Sequence, residues 1–316
     1  MSLELPQSRR YAILGAGAVG AFYGARLQHA GLTVHFLAHH DYDHLSQQGL
    51  KVDSPQGNFV LPHLQVYRDV HHMPRCEVVI VSLKTTQNHL LTQFLPVVLQ
   101  EDGVVFILQN GLGIEEEVAN IVGAHRVMGG LCFLCSHKVG PGHVCHLDYG
   151  SIMVGEYHSD YEPVGISKRM QQIADDFNQA GISIQLVEDL LLARWKKLVW
   201  NIPFNGLSVV LRAKTDAIMT HPESRQLVEQ LMWEVVKGAK SSQRIIPESF
   251  VEKMLRDTAN MVSYKTSMML DYEAKKRLEV ESIFGNPLRF AKRAGTELLH
   301  VAMLYRQLKF LDATNF

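Results

Sequence analysis

The sequence predicts an α/β chain in two parts, a parallel, doubly wound sheet followed by an all-helical carboxy-terminal part. Three observations carry this. Short, continuously apolar runs at residues 12–14, 34–37, 78–83, 104–108 and 127–134 alternate with helical stretches, as strands buried on both faces of a parallel sheet do. A Gly-x-Gly-x-x-Gly turn stands between the first run and the first helical stretch. After about residue 188 strand signals cease, and residues 190–309 read as helices.

The first strand, residues 11–14, leads into Gly15-Ala16-Gly17-Ala18-Val19-Gly20. Gly15 permits a tight turn, Gly17 lets the backbone approach a pyrophosphate, and Gly20 allows close helix–strand packing, while the helix end offers unpaired N–H groups to the anion. The helical stretch 21–29 ends at Gly31, and residues 33–38 supply a second strand. That strand–turn–helix–strand setting is what a Rossmann-type dinucleotide site requires, so residues 15–20 are read as cofactor-binding. An NAD site places an acid at the end of the second strand, about 20 residues past the motif. Here Ala38-His39-His40 stands instead, which favours NADP (NADPH) with His39, His40 or a distant lysine as counter-charge. An imidazole near a pKa of about 6.5 is only partly charged at neutral pH. Asp41 and Asp43 follow at once and oppose the argument.

Ligands of open parallel sheets lie beyond the carboxyl ends of the strands. Two runs end informatively, in Lys84-Thr85-Thr86 and in Gln109-Asn110-Gly111. Lys84 could meet a phosphate and Asn110 the nicotinamide edge; the plainer alternatives are a solvated lysine and an Asn-Gly turn. Residues 143–147 and 151–155 read as a hairpin around Tyr149-Gly150, and 183–186 as a further strand. The helical part is expected to break near Pro203, Pro222, Pro247 and Gly285-Asn286-Pro287. Two domains result, a cofactor-binding one at 9–188 and a substrate domain at 189–316, with no internal repeat.

Composition fits a soluble enzyme: 316 residues, 47% hydrophobic, 20% charged and a net charge of −1. That balance, with no basic run, gives no case for nucleic acid or a membrane surface. No apolar run reaches the roughly 18 residues of a membrane span, residues 1–10 lack a signal segment, and a cytoplasmic location is expected. Cys132-Phe133-Leu134-Cys135 has redox or metal spacing with His137, His143 and His146 nearby. Within a buried strand residues three apart point to opposite faces, so these read as core or cleft-wall cysteines. The histidine pairs His39-His40 and His71-His72 lack the helical i, i+4 spacing of a metal site, and no metal is expected. A homodimer is compatible with the chain, though nothing in it specifies one.

The most distinctive segment is Trp195-Lys196-Lys197-Leu198-Val199-Trp200-Asn201-Ile202-Pro203-Phe204-Asn205. Four-residue spacing stacks Lys197, Asn201 and Asn205 on one helix face. Burying those groups without partners is expensive, so a cleft for a polar substrate explains them. A helix edge with snorkelling side chains is the bland alternative.

Six segments together resemble the ketopantoate reductase family, in order and over nearly the whole chain. They are Gly15 to Gly20, Leu83-Lys84-Thr85, Asn110-Gly111, the helix of residues 195–205, Ser267-Met268-Met269-Leu270-Asp271 and Leu278-Glu279-Val280-Glu281-Ser282-Ile283. The resemblance implies a Rossmann domain plus a helical domain with NADPH and a 2-keto acid bound between them. It implies that Lys197 is the general acid that protonates the carbonyl oxygen as hydride arrives, a role suited to a partly desolvated ammonium. Glu279 matches the carboxylate near the reacting group; Asn201, Asn205 and Ser267 match substrate contacts, and Asn110 and Lys84 cofactor contacts, Lys84 at the 2'-phosphate.

Departures fall at His39, where the family has arginine, and at Leu278-Glu279-Val280-Glu281, where it has Thr-Glu-Ile-Asp. The family's following Asn-Gly is here Phe284-Gly285-Asn286-Pro287. The reading that results is NADPH-dependent reduction of 2-dehydropantoate to (R)-pantoate, as in pantothenate and coenzyme A synthesis. Reduction of another 2-keto acid, and a cofactor-binding sensor or interaction protein without turnover, are the alternatives; retention of Lys197, Asn201, Ser267 and Glu279 argues against the last.

Overall fold

The computed structural model describes residue 6 and residues 9–315. Residues 1–5, 7, 8 and 316 lie outside the described residues, and with them most of the stretch expected to lack a signal segment and the last residue of the expected helical domain. The chain separates into two compact units, one running to Gln109 and resuming over Ile114–Leu190, the other comprising Asn110–Gly113 and Leu191 onward.

In the first unit β1 (Arg10–Leu14), α1 (Ala18–His29), β2 (Thr33–Leu37) and α2 (Tyr42–Gln48) precede three short strands, β3 (Leu50–Asp53), β4 (Phe59–Leu61) and β5 (Gln65–Tyr67). Then come β6 (Cys76–Val81), α3 (Leu91–Val98), β7 (Leu99–Ile107), α4 (Ile114–Val122), β8 (Val127–Gly140), β9 (His143–Glu156), α5 (Lys168–Gln179) and β10 (Ile184–Leu186). The sheet order is β4-β3-β9-β8-β7-β6-β1-β2-β5, with β10 beside β9. Its centre is parallel as expected, but β3/β4 and β8/β9 pair antiparallel, so the sheet is mixed.

Both faces of the central strands are covered, which is why their sequences are continuously apolar. Phe22 and Tyr23 of α1 and Met170, Ile173 and Phe177 of α5 pack with Tyr11, Ile13, Val78, Ile80 and Phe106. The alternate residues Ala12, Leu14, Val79, Val81, Val105 and Ile107 are equally buried, on the side where α3 meets β6 and α4 meets β8.

The expected hairpin around Tyr149-Gly150 is not formed. Residues 143–156 are one strand, the hairpin partner is β8, and the reversal lies at residues 141–142. Tyr149 (φ 62°) and Gly150 (φ 117°) form a bulge, with register passing from Phe133 opposite Ser151 to Leu134 opposite Tyr149. Turn-forming residues were absorbed because both flanking segments pair with one long strand. His146 caps the bulge, its Nε2 lying 3.0 Å from the Asp148 carbonyl and 3.1 Å from that of Tyr149. The four cysteines form no disulfide. Among the described residues no group of three His, Cys, Asp or Glu side chains is placed to hold a metal ion, and no helix is long and apolar enough to cross a membrane.

The second unit is helical: α6 (Leu190–Leu211, whose first residue clusters with the sheet), α7 (Thr215–Thr220), α8 (Pro222–Ser241), α9 (Glu248–Asn260), α10 (Ser267–Glu273), α11 (Asn286–Arg293) and α12 (Leu299–Thr314). Pro222 opens α8 and Pro247 caps α9 as expected. Pro203, in contrast, does not break α6. An interior proline costs about 3 kcal/mol, whereas Trp195, Leu198, Val199, Ile202 and Phe204, all at most 1% exposed, each contribute about 1.5–3 kcal/mol on burial. Packing therefore outweighs the proline.

Nor does Gly285-Asn286-Pro287 end a helix. Gly285 is helical (φ −62°, ψ −47°), and a widened π turn over Glu281–Gly285 runs into α11. In i→i+5 pairing Pro287 would face the Ser282 carbonyl with no N–H to give. The Leu112 N–H takes that place at 2.9 Å.

Candidate active site

The cradle for a dinucleotide is built at the start of α1. Gly15 takes φ +107°, and a Cβ there would lie 2.8 Å from the Leu83 backbone nitrogen. At Gly20 a Cβ would fall 2.2 Å from the Gly15 carbonyl and from Ser82 Oγ, so only glycine lets α1 approach β1 this closely. Gly17 differs: a Cβ would meet nothing within 4 Å. Gly17 is also the N-cap of α1 and makes no side-chain cap, which leaves the N–H groups of Ala18, Val19 and Gly20 without an intrahelical acceptor. A pyrophosphate fits such a cradle. Ser82, just past the end of β6, closes it, donating to the carbonyls of Leu14 (3.2 Å) and Gly15 (2.8 Å).

Beyond β2, His39 and His40 are exposed with rings stacked at 4.8 Å. Asp41 is ion-paired with Lys138, and Asp43 with Arg68 at 2.7 Å.

The ends of β6 and β7 are tied by buried amides that sequence reasoning missed. Gln109 Nε2 donates to the Leu83 carbonyl (2.8 Å) and to Asn88 Oδ1 (2.7 Å), and Asn88 Nδ2 donates to Glu117 (2.8 Å). Lys84 lies between these tethers, half-buried at the start of a short 3-10 helix over Thr85–Leu90. The available signal was a Gln interposed between an apolar strand and Asn-Gly.

In the helical unit the stripe on α6 is real and buried. Asn201 is 6% and Asn205 4% exposed. Lys197, one turn earlier, is half-buried. Amide side chains buried to this degree are uncommon on an apolar helix, and here two of them stack at i, i+4 beside an ammonium.

The other candidates of this unit lie on α10 and around the π turn. Ser208, one turn past Asn205, bonds to Thr266 Oγ1 at 2.7 Å, and Thr266 caps α10 by accepting from the Met269 N–H. That contact sets the exposed Ser267 beside the stripe's end. Glu279, 6% exposed, precedes the π turn. Asn110 belongs to the segment fastened to that turn, through Leu112 N–H to Ser282 and Asn286 Nδ2 to the Leu112 carbonyl at 2.5 Å. A Cβ on Gly111 (φ +118°) would lie 2.5 Å from the Ser282 carbonyl. Gly206 completes the assembly, since its bare backbone admits Phe284 and Leu304 against α6. Of the expected site residues of the helical unit, Lys197, Asn201 and Asn205 share α6 and Ser267 is tied to it through Thr266 and Ser208, while Gly15 to Gly20, His39 and Lys84 lie at the strand ends of the sheet unit. Two shallow depressions near Arg26 and Arg75 are lined by none of them.

A family model described as ketopantoate reductase PanE/ApbA matches residues 11–159, and one described as ketopantoate reductase PanE/ApbA C terminal matches residues 189–312. A 2-dehydropantoate 2-reductase of Nostoc sp. is 58% identical over 307 residues, 97% of this chain and 96% of its own. Among solved structures, the 2-dehydropantoate 2-reductase of Geobacter metallireducens GS-15 superposes with a TM-score of 0.91 at 41% identity, covering 95% of this chain and 99% of that one. A D-mandelate dehydrogenase crystallised with NADH and anilino(oxo)acetate reaches a TM-score of 0.86 at 19% identity over 97% of this chain and 99% of its own, a likeness of fold alone.

Proposed function

The chain belongs to the ketopantoate reductase family of oxidoreductases, and from that premise we propose that it reduces 2-dehydropantoate to (R)-pantoate with NADPH. The observation that carries the reading is the pair of buried carboxamides Asn201 and Asn205 in line with Lys197 on one apolar helix. Such a row matches a small, multiply oxygenated keto acid: amides to hold its polar groups and an ammonium for its reacting oxygen.

The Gly15 to Gly20 cradle would hold the pyrophosphate of the dinucleotide, whose reduced nicotinamide would supply the hydride. Lys197 holds a proton at Nζ and delivers it to the carbonyl oxygen as negative charge develops there, which is general acid catalysis and electrostatic stabilisation by one group. Asn201 and Asn205 orient the substrate, Ser267 meets its carboxylate, and the buried Glu279 binds a substrate hydroxyl and sets the field around Lys197. Lys84 and His39 serve the 2'-phosphate, and Asn110 the nicotinamide amide. The sheet unit is accordingly the cofactor domain and the helical unit the substrate domain of a cytoplasmic enzyme.

One observation favours a second reading. Leu278, Glu281 and the Phe284 to Pro287 segment depart from the family pattern beside Glu279, so a different branched or hydroxylated 2-keto acid is the alternative substrate. Following NADPH oxidation with 2-dehydropantoate and a panel of 2-keto acids, beside Lys197→Ala, tests both. Turnover of 2-dehydropantoate that falls roughly 10²- to 10⁴-fold in the variant is expected. Preference for another acid with the same lysine dependence selects the second reading, and NADPH binding without turnover of any acid rejects both.

A further inference from the structure

The two acids that follow β2 are each cancelled by a base from another element. Asp41, with 12% of its side chain exposed, is paired with Lys138 near the end of β8, itself 31% exposed. The Gly142 N–H also faces Asp41 Oδ2 at 3.4 Å. Asp43 pairs with Arg68, which follows β5, at 2.7 Å, and the same guanidinium lies over the Tyr42 ring 4.6 Å from its centroid. Neither base is near these acids in sequence; β8 and β5 bring them to this end of the sheet. The segment 39–43 therefore presents two neutralised carboxylates beside the stacked imidazoles of His39 and His40.

We propose that Lys138 and Arg68 are specificity-determining residues for the cofactor. By cancelling Asp41 and Asp43 they let the end of β2 accept a ribose 2'-phosphate, where uncompensated acids would repel it and select an unphosphorylated ribose. An acid at this point of the fold is what ordinarily holds the 2'-hydroxyl of NAD. A bare carboxylate within a screening length of about 8–10 Å acts on a dianionic phosphate, whereas an ion pair presents only a dipole whose field dies away faster. The inference rests on the NADP reading above and deepens it, by assigning the preference to charge cancellation as much as to direct contacts from Lys84 and His39.

The test is direct binding of NADPH and NADH, read by quenching of tryptophan fluorescence in the full-length enzyme at low salt. Lys138→Met should weaken NADPH roughly three- to tenfold and leave NADH within about twofold. Adding Asp41→Asn should restore NADPH binding, because the charge that Lys138 cancelled is then gone. Arg68→Met with and without Asp43→Asn is the second pair, on a more exposed surface where folding is safer. Equal weakening of both cofactors, no weakening, or no rescue by the Asn substitution overturns the role of Lys138 and Arg68. The wild-type ratio separates the two levels: an enzyme with no preference for NADPH overturns the NADP reading itself. An NADPH-selective enzyme indifferent to all four variants overturns only the charge cancellation.

Discussion

A carboxamide placed where an apolar side chain could pack forgoes about 1.5–3 kcal/mol of burial energy, so Asn201 and Asn205, at 6% and 4% exposure, mark a place where packing has yielded to chemistry. Asn201→Leu should therefore raise the unfolding free energy by about 1 kcal/mol in urea titrations, while kcat/KM for the keto acid falls by roughly 100-fold or more. A destabilised Asn201→Leu with normal turnover would make the amide structural and remove the main support for the site. The lysine and the two amides were legible in sequence because helical spacing aligns them. Ser82, Asn88 and Gln109 were not, since a side chain that bonds to a loop carbonyl leaves no periodic trace. The pairing of Asp41 with Lys138, 97 residues apart, was equally out of reach.

At the scale of elements, glycines and prolines decide where close approach and bending occur. Gly20→Ala would drive a Cβ to within 2.2 Å of the Gly15 carbonyl. It should displace the start of α1 and weaken NADPH and NADH binding alike, in contrast to the selective effect expected at Lys138; isothermal titration with both cofactors distinguishes the two. Pro203→Ala restores a missing backbone donor inside α6 at the loss of some buried ring surface. A net gain of about 1–2 kcal/mol in stability is expected from those opposing terms, with a raised KM for the keto acid if the proline sets the direction of Asn201 and Asn205 beside it. Chemical denaturation beside steady-state kinetics reads both quantities, and a less stable variant contradicts the argument. The central strands, α1 and most helices were readable because burial on both faces or on one stripe leaves a pattern several residues long. The strands β3, β4 and β5, at three or four residues each, are too short for one. The hairpin was misplaced, and the helix breaks at Pro203 and Gly285 overestimated, because local turn and breaker chemistry was outweighed by a long strand partner and by burial.

For the whole molecule, the pH dependence of stability follows from groups whose proton affinity changes on folding. His35 is buried in β2 beside Tyr67, whose hydroxyl lies 3.1 Å from Nδ1. Burial, and then the charge of Arg10, hold its pKa below the ordinary value of about 6.5. The unfolded chain thus takes up this proton first, so the contribution is present above about pH 6.5 and is lost as pH falls through the lowered folded pKa. Glu77 and Glu281 follow at lower pH. Burial opposes their ionisation, but hydrogen bonds from Arg10 to Glu77, and from Tyr305, Lys309 and Arg289 to Glu281, outweigh it and leave both lowered. Their contributions are present above about pH 4.3 and disappear as pH falls through the folded values. Tm should accordingly be level from about pH 8 to 7, decline gently below about 6.5 and steeply below about 4.3. His35→Asn keeps a polar partner for Tyr67 but does not titrate, so differential scanning calorimetry should show the upper decline flattened and the lower one intact. An upper decline unchanged in His35→Asn would assign it to other histidines and leave the buried imidazole of β2 without a part in acid sensitivity.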